Sequence, residues 1–193
     1  MEEKLRQQPG NCIKIVLFGP ESSGKTTLSK QLAEHYQCEW VPEYMREYLQ
    51  EKWDKYSEVC SYEDLLPIAE GQIKLENEYS KKTNKLLICD TNLLELKVYA
   101  KVYFEGKVPK ILNKISQENV YDLYLLTYID TPWIADDLRD RPHQREEMFL
   151  TFKASLDQYN LPYIVLKGDK VSRLEKAIQT IDELIEQKGE YNR

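Results

Sequence analysis

The chain has 193 residues, 41% hydrophobic and 31% charged, with 27 Lys plus Arg against 33 Asp plus Glu and a net charge of −6. That length and balance fit one ordinary soluble domain and exclude both a disordered chain and a disulfide-stapled miniprotein. The acidic total argues against a protein that coats nucleic acid, yet leaves room for a local basic site that takes a phosphate-bearing ligand.

Cys12, Cys38, Cys60 and Cys89 form no C-x-x-C pair, and His35 and His143 complete no zinc pattern, so reduced thiols are expected. Residues 1–10 are charged, lack the apolar core of a signal peptide and read as a frayed end. No segment approaches the roughly 18 apolar residues of a membrane span, and a cytoplasmic location is expected.

Ile13–Phe18 is a short apolar run ended by Gly19 and reads as a buried strand. The next residues, Gly19-Pro20-Glu21-Ser22-Ser23-Gly24-Lys25-Thr26, match G-x-x-x-x-G-K-[ST], and Leu28 and Leu32 continue with helical spacing. Strand, glycine-bounded turn and helix are the context in which this motif binds phosphate: the turn aims successive N–H groups inward and the helix N-terminus adds partial positive charge. Lys25 is placed to reach the β and γ phosphates and Thr26 to offer its hydroxyl to Mg²⁺. The expected ATP contacts are Gly19, Glu21, Ser22, Ser23, Gly24, Lys25, Thr26 and Thr27, with Arg139 and Arg141 from further along the chain.

Cys38–Val41 reads as a second strand, followed by Pro42-Glu43-Tyr44-Met45-Arg46-Glu47-Tyr48. Ligands of open α/β sheets bind beyond the carboxyl ends of the strands, so Glu43 is expected opposite the phosphate loop, where it can accept or orient a hydroxyl proton. Trp40, Tyr44, Tyr48, Trp53, Tyr56 and Tyr62 crowd this half, and either Trp40 or Tyr44 suits stacking on a flat or cationic ring. Ser61 with Asp64 marks a helix start that runs through Leu65, Ile68, Ala69, Gln72 and Ile73 towards Ser80.

Leu86–Cys89 is another buried strand, ended by Asp90, which fits either the acid that holds Mg²⁺ or a helix cap. Tyr121–Thr127 and Tyr163–Lys167 complete the strands. After the first of these, Pro132–Pro142 leads into Arg145, and three of the seven arginines, Arg139, Arg141 and Arg145, fall within seven residues. Their planar forks suit phosphoryl oxygens, so residues 131–145 read as a water-excluding lid, or alternatively as a salt-bridged loop. Leu174, Ile178, Ile181, Leu184 and Ile185 give a last helix, with Ser172 and Glu175 as its capping box and residues 189–193 as a frayed end. The alternation predicts one α/β domain over residues 1–193, a parallel sheet with helices on both faces.

Together, GPESSGKTT at 19–27, VPEYMREY at 41–48, Gln72 in AEGQ, ICDT at 88–91, Pro132-Trp133 followed by D-x-x-R at 136–139, and the late NLPYIVL strand resemble the ribosylnicotinamide kinase domain of bacterial NAD-biosynthesis regulator proteins. The resemblance implies a P-loop NTPase fold like that of nucleoside monophosphate kinases, with a five-stranded parallel sheet in the order 2-3-1-4-5. It implies transfer of the ATP γ-phosphate to the 5′-hydroxyl of nicotinamide riboside, giving nicotinamide mononucleotide for NAD salvage. By position it makes Lys25, Thr26 and Asp90 the ATP and Mg²⁺ site, turns Glu43, Tyr44, Arg46 and Gln72 to the nucleoside with Trp40 and Thr91 beside them, and gives Arg139 to the lid.

Two stretches depart from the family pattern: Asn92 stands where a second acid usually follows the Asp-Thr, and Ala135-Asp136-Asp137 replaces Asp-Asp-Gly. Other acceptors therefore stay open, a different nucleoside or a vitamin alcohol, as does a non-catalytic ATP-bound switch whose lid meets a partner. No N-K-x-D guanine motif and no H-x-G-H adenylyltransfer motif occur. The 18 residues before Gly19 are too few for a helix-turn-helix domain, and an AAA-type remodelling ATPase is expected to be longer, with a helical C-terminal domain.

Overall fold

The computed structural model describes residues 2–83, 85–139 and 141–191; Met1, Asn84, Asp140, Asn192 and Arg193 lie outside the described residues. In chain order the elements are β1 (Ile13–Phe18), α1 (Lys25–Tyr36), β2 (Glu39–Val41), α2 (Tyr44–Tyr56), α3 (Leu65–Ser80), β3 (Leu86–Asp90), α4 (Leu93–Tyr103), α5 (Lys110–Glu118), β4 (Leu123–Thr127), α6 (Arg145–Gln158), β5 (Tyr163–Leu166) and α7 (Lys170–Tyr191). All strand pairs are parallel, in the order β2-β3-β1-β4-β5, as the resemblance implied. The connections that leave β1 and β4 run to opposite sides of the sheet, which opens a crevice at their carboxyl ends. Register places Asp90 level with Leu17, so the acid lies beside the root of the phosphate loop.

The central strands read as continuous apolar runs because helices cover both faces. Val16, Phe18, Leu87, Cys89 and Tyr124 pack with Leu94, Phe149 and Phe152 on one side, while Ile15, Leu17, Ile88 and Leu125 pack with Leu28, Leu32, Ala177 and Ile181 on the other. A third apolar cluster joins α3, α4 and α5 through Ile68, Ile73, Leu96 and Leu112. No helix among the described residues is long and apolar enough to cross a membrane. All four cysteines are free thiols.

One expected helix start is corrected. Ser172 and Glu175 do not start the last helix: α7 begins at Lys170, and the Asp169 carboxylate caps it by accepting the Ser172 N–H at 2.8 Å. The chain turns sharply at Gly168, whose φ is 97°, and Asp169 rather than Ser172 is the first side chain beyond that turn. By contrast, the capping box of Ser61 and Asp64 is present, in a short 3-10 turn just ahead of α3.

The N-terminal decapeptide is not frayed. Residues 2–5 form a 3-10 turn whose Leu5 is fully buried in the α3–α4–α5 cluster, and Gln7 and the Gln8 N–H bond to Glu76 and Asn77 at 2.7 and 2.8 Å. A lone leucine among charged residues carries no periodicity, which is why the sequence hides this anchor. At the other end α7 continues to Tyr191, past the expected fray point at 189, and Asn192 and Arg193 lie outside the described residues. Leu5→Ala should therefore cost about 2–5 kcal/mol in urea unfolding; a loss below about 0.5 kcal/mol, the scale of an exposed site, would show the segment to be loose.

Candidate nucleotide and acceptor site

The phosphate loop leaves β1 through Gly19 at φ 141°, Ser22 at 53° and Gly24 at 88°. At Gly19 a side chain is excluded twice, by that φ and because a Cβ would stand 2.9 Å from the Thr127 carbonyl oxygen. Ser23 Oγ donates to the Pro20 carbonyl at 2.6 Å and pairs with Thr127 Oγ1 at 2.6 Å, fastening the loop to the end of β4. Behind it lies Arg173 of α7, almost wholly buried. Its guanidinium donates to the carbonyls of Ser23, Tyr128 and Gly168 at 2.6, 2.8 and 3.0 Å and pairs with Asp130.

Lys25 Nζ donates to the Gly19 and Pro20 carbonyls at 2.7 and 3.1 Å and lies 3.2 Å from Glu95 Oε1. Asp90 is fully buried with no hydrogen-bond partner for either oxygen, and Glu95, 1% exposed, has no hydrogen bond to either of its own. Burial, then the charge of Glu43, pushes the Asp90 carboxyl up to about 7 against the pull of Thr26 and Lys25. Burial likewise pushes Glu95 up to about 8; Lys25 pulls it down while Glu43 and Asp90 add to the rise. Lys25 itself is held above its ordinary value: burial opposes its charge, but Glu95, Glu43 and Asp90 outweigh burial.

A buried carboxylate with both oxygens unpartnered, beside the Thr26 hydroxyl, is an oxygen donor set for a hard divalent cation. No cluster of three or more His, Cys, Asp or Glu converges to hold a metal among the described residues. An ion here would lean on one or two protein oxygens plus phosphate, which is the habit of Mg²⁺.

Thr91, 5% exposed, sits at φ 74° and donates its N–H to Leu17 at 3.2 Å. A β-branched residue in the left-handed region is strained by about 1–3 kcal/mol. Asn92 follows as the cap of α4, its side-chain oxygen accepting the Leu94 and Glu95 N–H groups at 3.1 Å each. Asp90 is thus not the helix cap, and the residue that replaces the family's second acid has a structural task.

Beyond Thr26 and Asp90 opens a cleft of about 440 Å³ walled by Trp40, Glu43 and Arg46, which continues along α2 past Glu47, Glu51 and Asp54. Trp40 brings a buried indole N–H without a partner, and Lys30 Nζ lies 5.0 Å from its ring centre. Tyr44 and Gln72 do not line this cleft. The Tyr44 ring lies against the backbone of α3, where a Cβ on Gly71 would come within 2.0 Å of it. Gln72 accepts the Tyr44 N–H at 2.8 Å and donates to the Pro42 carbonyl at 3.3 Å, so it clamps the start of α2.

The segment from Thr131 to Gln144 has turns but no helix or strand among its described residues. Arg46 reaches it, pairing with Asp136 at 2.6 Å, and Arg139 pairs with the same carboxylate at 3.2 Å and donates to the Ile134 carbonyl at 2.7 Å. Arg141 stacks 4.2 Å from the Tyr103 ring centre. Arg145 reaches the phosphate loop, donating to the Ser22 carbonyl at 3.2 Å and to the Thr131 carbonyl at 2.8 Å. Sequence reasoning missed Glu95 and Arg173. Glu95 had one usable signal, an acid in the first turn of a helix that follows the strand-ending Asp90; Arg173 had none.

Sheet order, phosphate loop and buried acid at the end of β3 define the class: a P-loop α/β domain with the fold also seen in nucleoside and nucleotide kinases. Residues 14–173 match the AAA domain family, and the chain belongs to it. It is 28% identical over 174 residues to the trifunctional NAD biosynthesis/regulator protein NadR of Escherichia coli (strain K12), covering 89% of this chain and 42% of that protein. The Salmonella typhimurium protein of the same name is 26% identical over 178 residues, covering 91% and 43%. The chain therefore spans less than half the length of these curated relatives. A crystal structure of NadR protein in complex with NR has a TM-score of 0.76 at 23% identity, covering 91% of this chain and 52% of that one. Deoxyadenosine kinase from M. mycoides with bound dATP has a TM-score of 0.57 at 17% identity, covering 88% and 99%.

The buried acid sets a pH dependence. In the folded chain Glu95 keeps its proton to about 8, whereas its ordinary value is 4.5, so between these limits the folded state binds more protons and stability falls as pH rises. Melting temperature should decline over this window less steeply in Glu95→Gln than in the unsubstituted protein; parallel curves would refute the shift.

Proposed function

We propose that the chain is a phosphotransferase that moves the γ-phosphoryl group of ATP to the 5′-hydroxyl of nicotinamide riboside, releasing ADP and nicotinamide mononucleotide. The observation that carries this reading is the charge of the cleft. Glu43, Glu47, Glu51, Asp54 and Asp90 line it, and its one arginine, Arg46, is paired with Asp136. Such a wall favours a cationic acceptor, and the pyridinium of nicotinamide riboside is one. The resemblance to the NadR proteins agrees with this choice.

In this reading the loop from Gly19 to Thr27 holds the triphosphate, and Lys25 meets the β and γ phosphates. Thr26 and Asp90 would hold Mg²⁺, which would supply neutralisation of the charge on the phosphoryl group. With Asp90 so engaged, Glu43 orients the acceptor hydroxyl and takes its proton as the new P–O bond forms. Trp40 offers its ring to the pyridinium, Thr91 supports the acceptor side, and Tyr44 and Gln72 act by fixing α2. Residues 131–145 act as a lid over a single domain, in which Arg139 and Arg141 would turn to the nucleotide from their present partners. A cytoplasmic place in NAD salvage and a small-molecule partner belong to the same proposal.

The test is product mass after incubating purified protein with ATP, Mg²⁺ and a panel of nucleosides and vitamin alcohols. Nicotinamide mononucleotide should dominate, and Lys25→Ala should make none while keeping its fold. Replacing Glu47 and Glu51 together by Gln should raise KM for nicotinamide riboside several-fold and leave KM for a neutral nucleoside unchanged. A neutral nucleoside as the dominant product would instead favour the reading suggested by the likeness to deoxyadenosine kinase. Nucleotide binding without any product would indicate a switch.

A further inference from the structure

The Lys25 ammonium is held within the protein by two hydrogen bonds and one ion pair. The hydrogen bonds go to the Gly19 and Pro20 carbonyls at 2.7 and 3.1 Å, and Glu95 Oε1 stands 3.2 Å away. To meet a phosphate, the ammonium must leave some of these partners. The carbonyls belong to the loop that surrounds the phosphate, so they stay within reach of its new position. Glu95 does not: it is fixed to the first turn of α4, whose Glu95 N–H is held by the Asn92 cap at 3.1 Å.

Beyond the Lys25 ammonium, the Glu95 carboxylate has no polar partner. It is 1% exposed and makes no hydrogen bond. The charged groups around it are Lys25 on α1, Glu43 ahead of α2 and Asp90 on β3, and one turn along α4 lies the buried Tyr99, whose phenol is held well above its ordinary range. Once Lys25 moves to an incoming polyanion, an ionised Glu95 would be left among negative charges out of water. Buried carboxylates in that position neutralise rather than persist as ions.

We propose that Glu95 is a positioning residue that holds Lys25 on the loop's own carbonyls until a nucleotide binds, and that Glu95 still ionised at that point takes a proton from solvent when Lys25 turns to the phosphates. Nucleotide binding at this loop would then be accompanied by proton uptake, most visibly above neutral pH, where the free protein has more of Glu95 ionised. The inference rests on nucleotide binding alone and stands or falls independently of the acceptor.

Calorimetric titration of the protein with the ATP analogue AMP-PNP, at about pH 8.5 and in Mg²⁺ excess so that the analogue is fully ionised before it binds, tests it. Comparing Tris with EPPS, whose ionisation enthalpies differ, gives the protons taken up. The unsubstituted protein should take up a sizeable fraction of one proton. Glu95→Gln and the apolar Glu95→Met should take up clearly less and bind AMP-PNP several-fold more tightly. Equal uptake in either folded variant, or loss of nucleotide binding in a folded variant, overturns the proposal. In the unsubstituted protein, carbon-13 spectra of the glutamate carboxyls should show one group whose titration midpoint moves up on nucleotide binding; the absence of any such group also overturns it.

Discussion

Like charges brought together out of water must be offset or neutralised, and three carboxylates, Glu43, Asp90 and Glu95, share one ammonium, Lys25, at the carboxyl end of the sheet. The fold puts them there. Parallel pairing of β1 with β3 brings Asp90 level with Leu17, the turn at Gly19 returns the chain so that α1 starts on Lys25, and the Asn92 cap turns Glu95 back towards it. The arrangement is met by protonation as well as by pairing: burial raises the Asp90 and Glu95 carboxyls to about 7 and about 8, and Lys25 is held charged between them.

Much of this architecture was legible in the residues. The strands announce themselves as apolar runs because both sheet faces are covered, and the phosphate loop is a local device whose residues lie adjacent in sequence. What escaped is non-local. Arg173 supports the loop from the far end of the chain, a contact 150 residues away in sequence, and Glu95 gains its meaning only once α1 and α4 lie together. Leu5 and Asp169 escaped for a different reason: each is a single residue whose role depends on a turn or a docking surface, not on a repeating pattern.

The cleft beside the phosphate loop was readable in composition more than in detail. The stretch from Trp40 to Tyr48 does supply a wall of the cleft, but its residues divide their labour. Trp40, Glu43 and Arg46 face the cleft, while Tyr44, against Gly71, and the Gln72 amide hold α2 in place. Chain position alone does not separate a side chain that meets a ligand from one that orients its neighbour. Both kinds sit at helix starts beyond strand ends, where polar and aromatic residues concentrate.

The shallow seating of α2 carries a further consequence. None of its residues is fully buried: Met45, Tyr48 and Leu49 pack half-buried on the α3–α4–α5 cluster, and Tyr48 and Lys52 bond to Asp64 at 3.0 and 2.7 Å. The phosphate-binding apparatus, by comparison, is built on the covered sheet, where substitutions disturb the core. Changes along the exposed acidic face of α2 remove little packing, of the order of 0.5 kcal/mol for a surface site, yet alter the charge seen by whatever enters the cleft. Under the proposed function, a lineage that keeps this loop and sheet intact can therefore drift from one acceptor to another through a few surface substitutions in one helix.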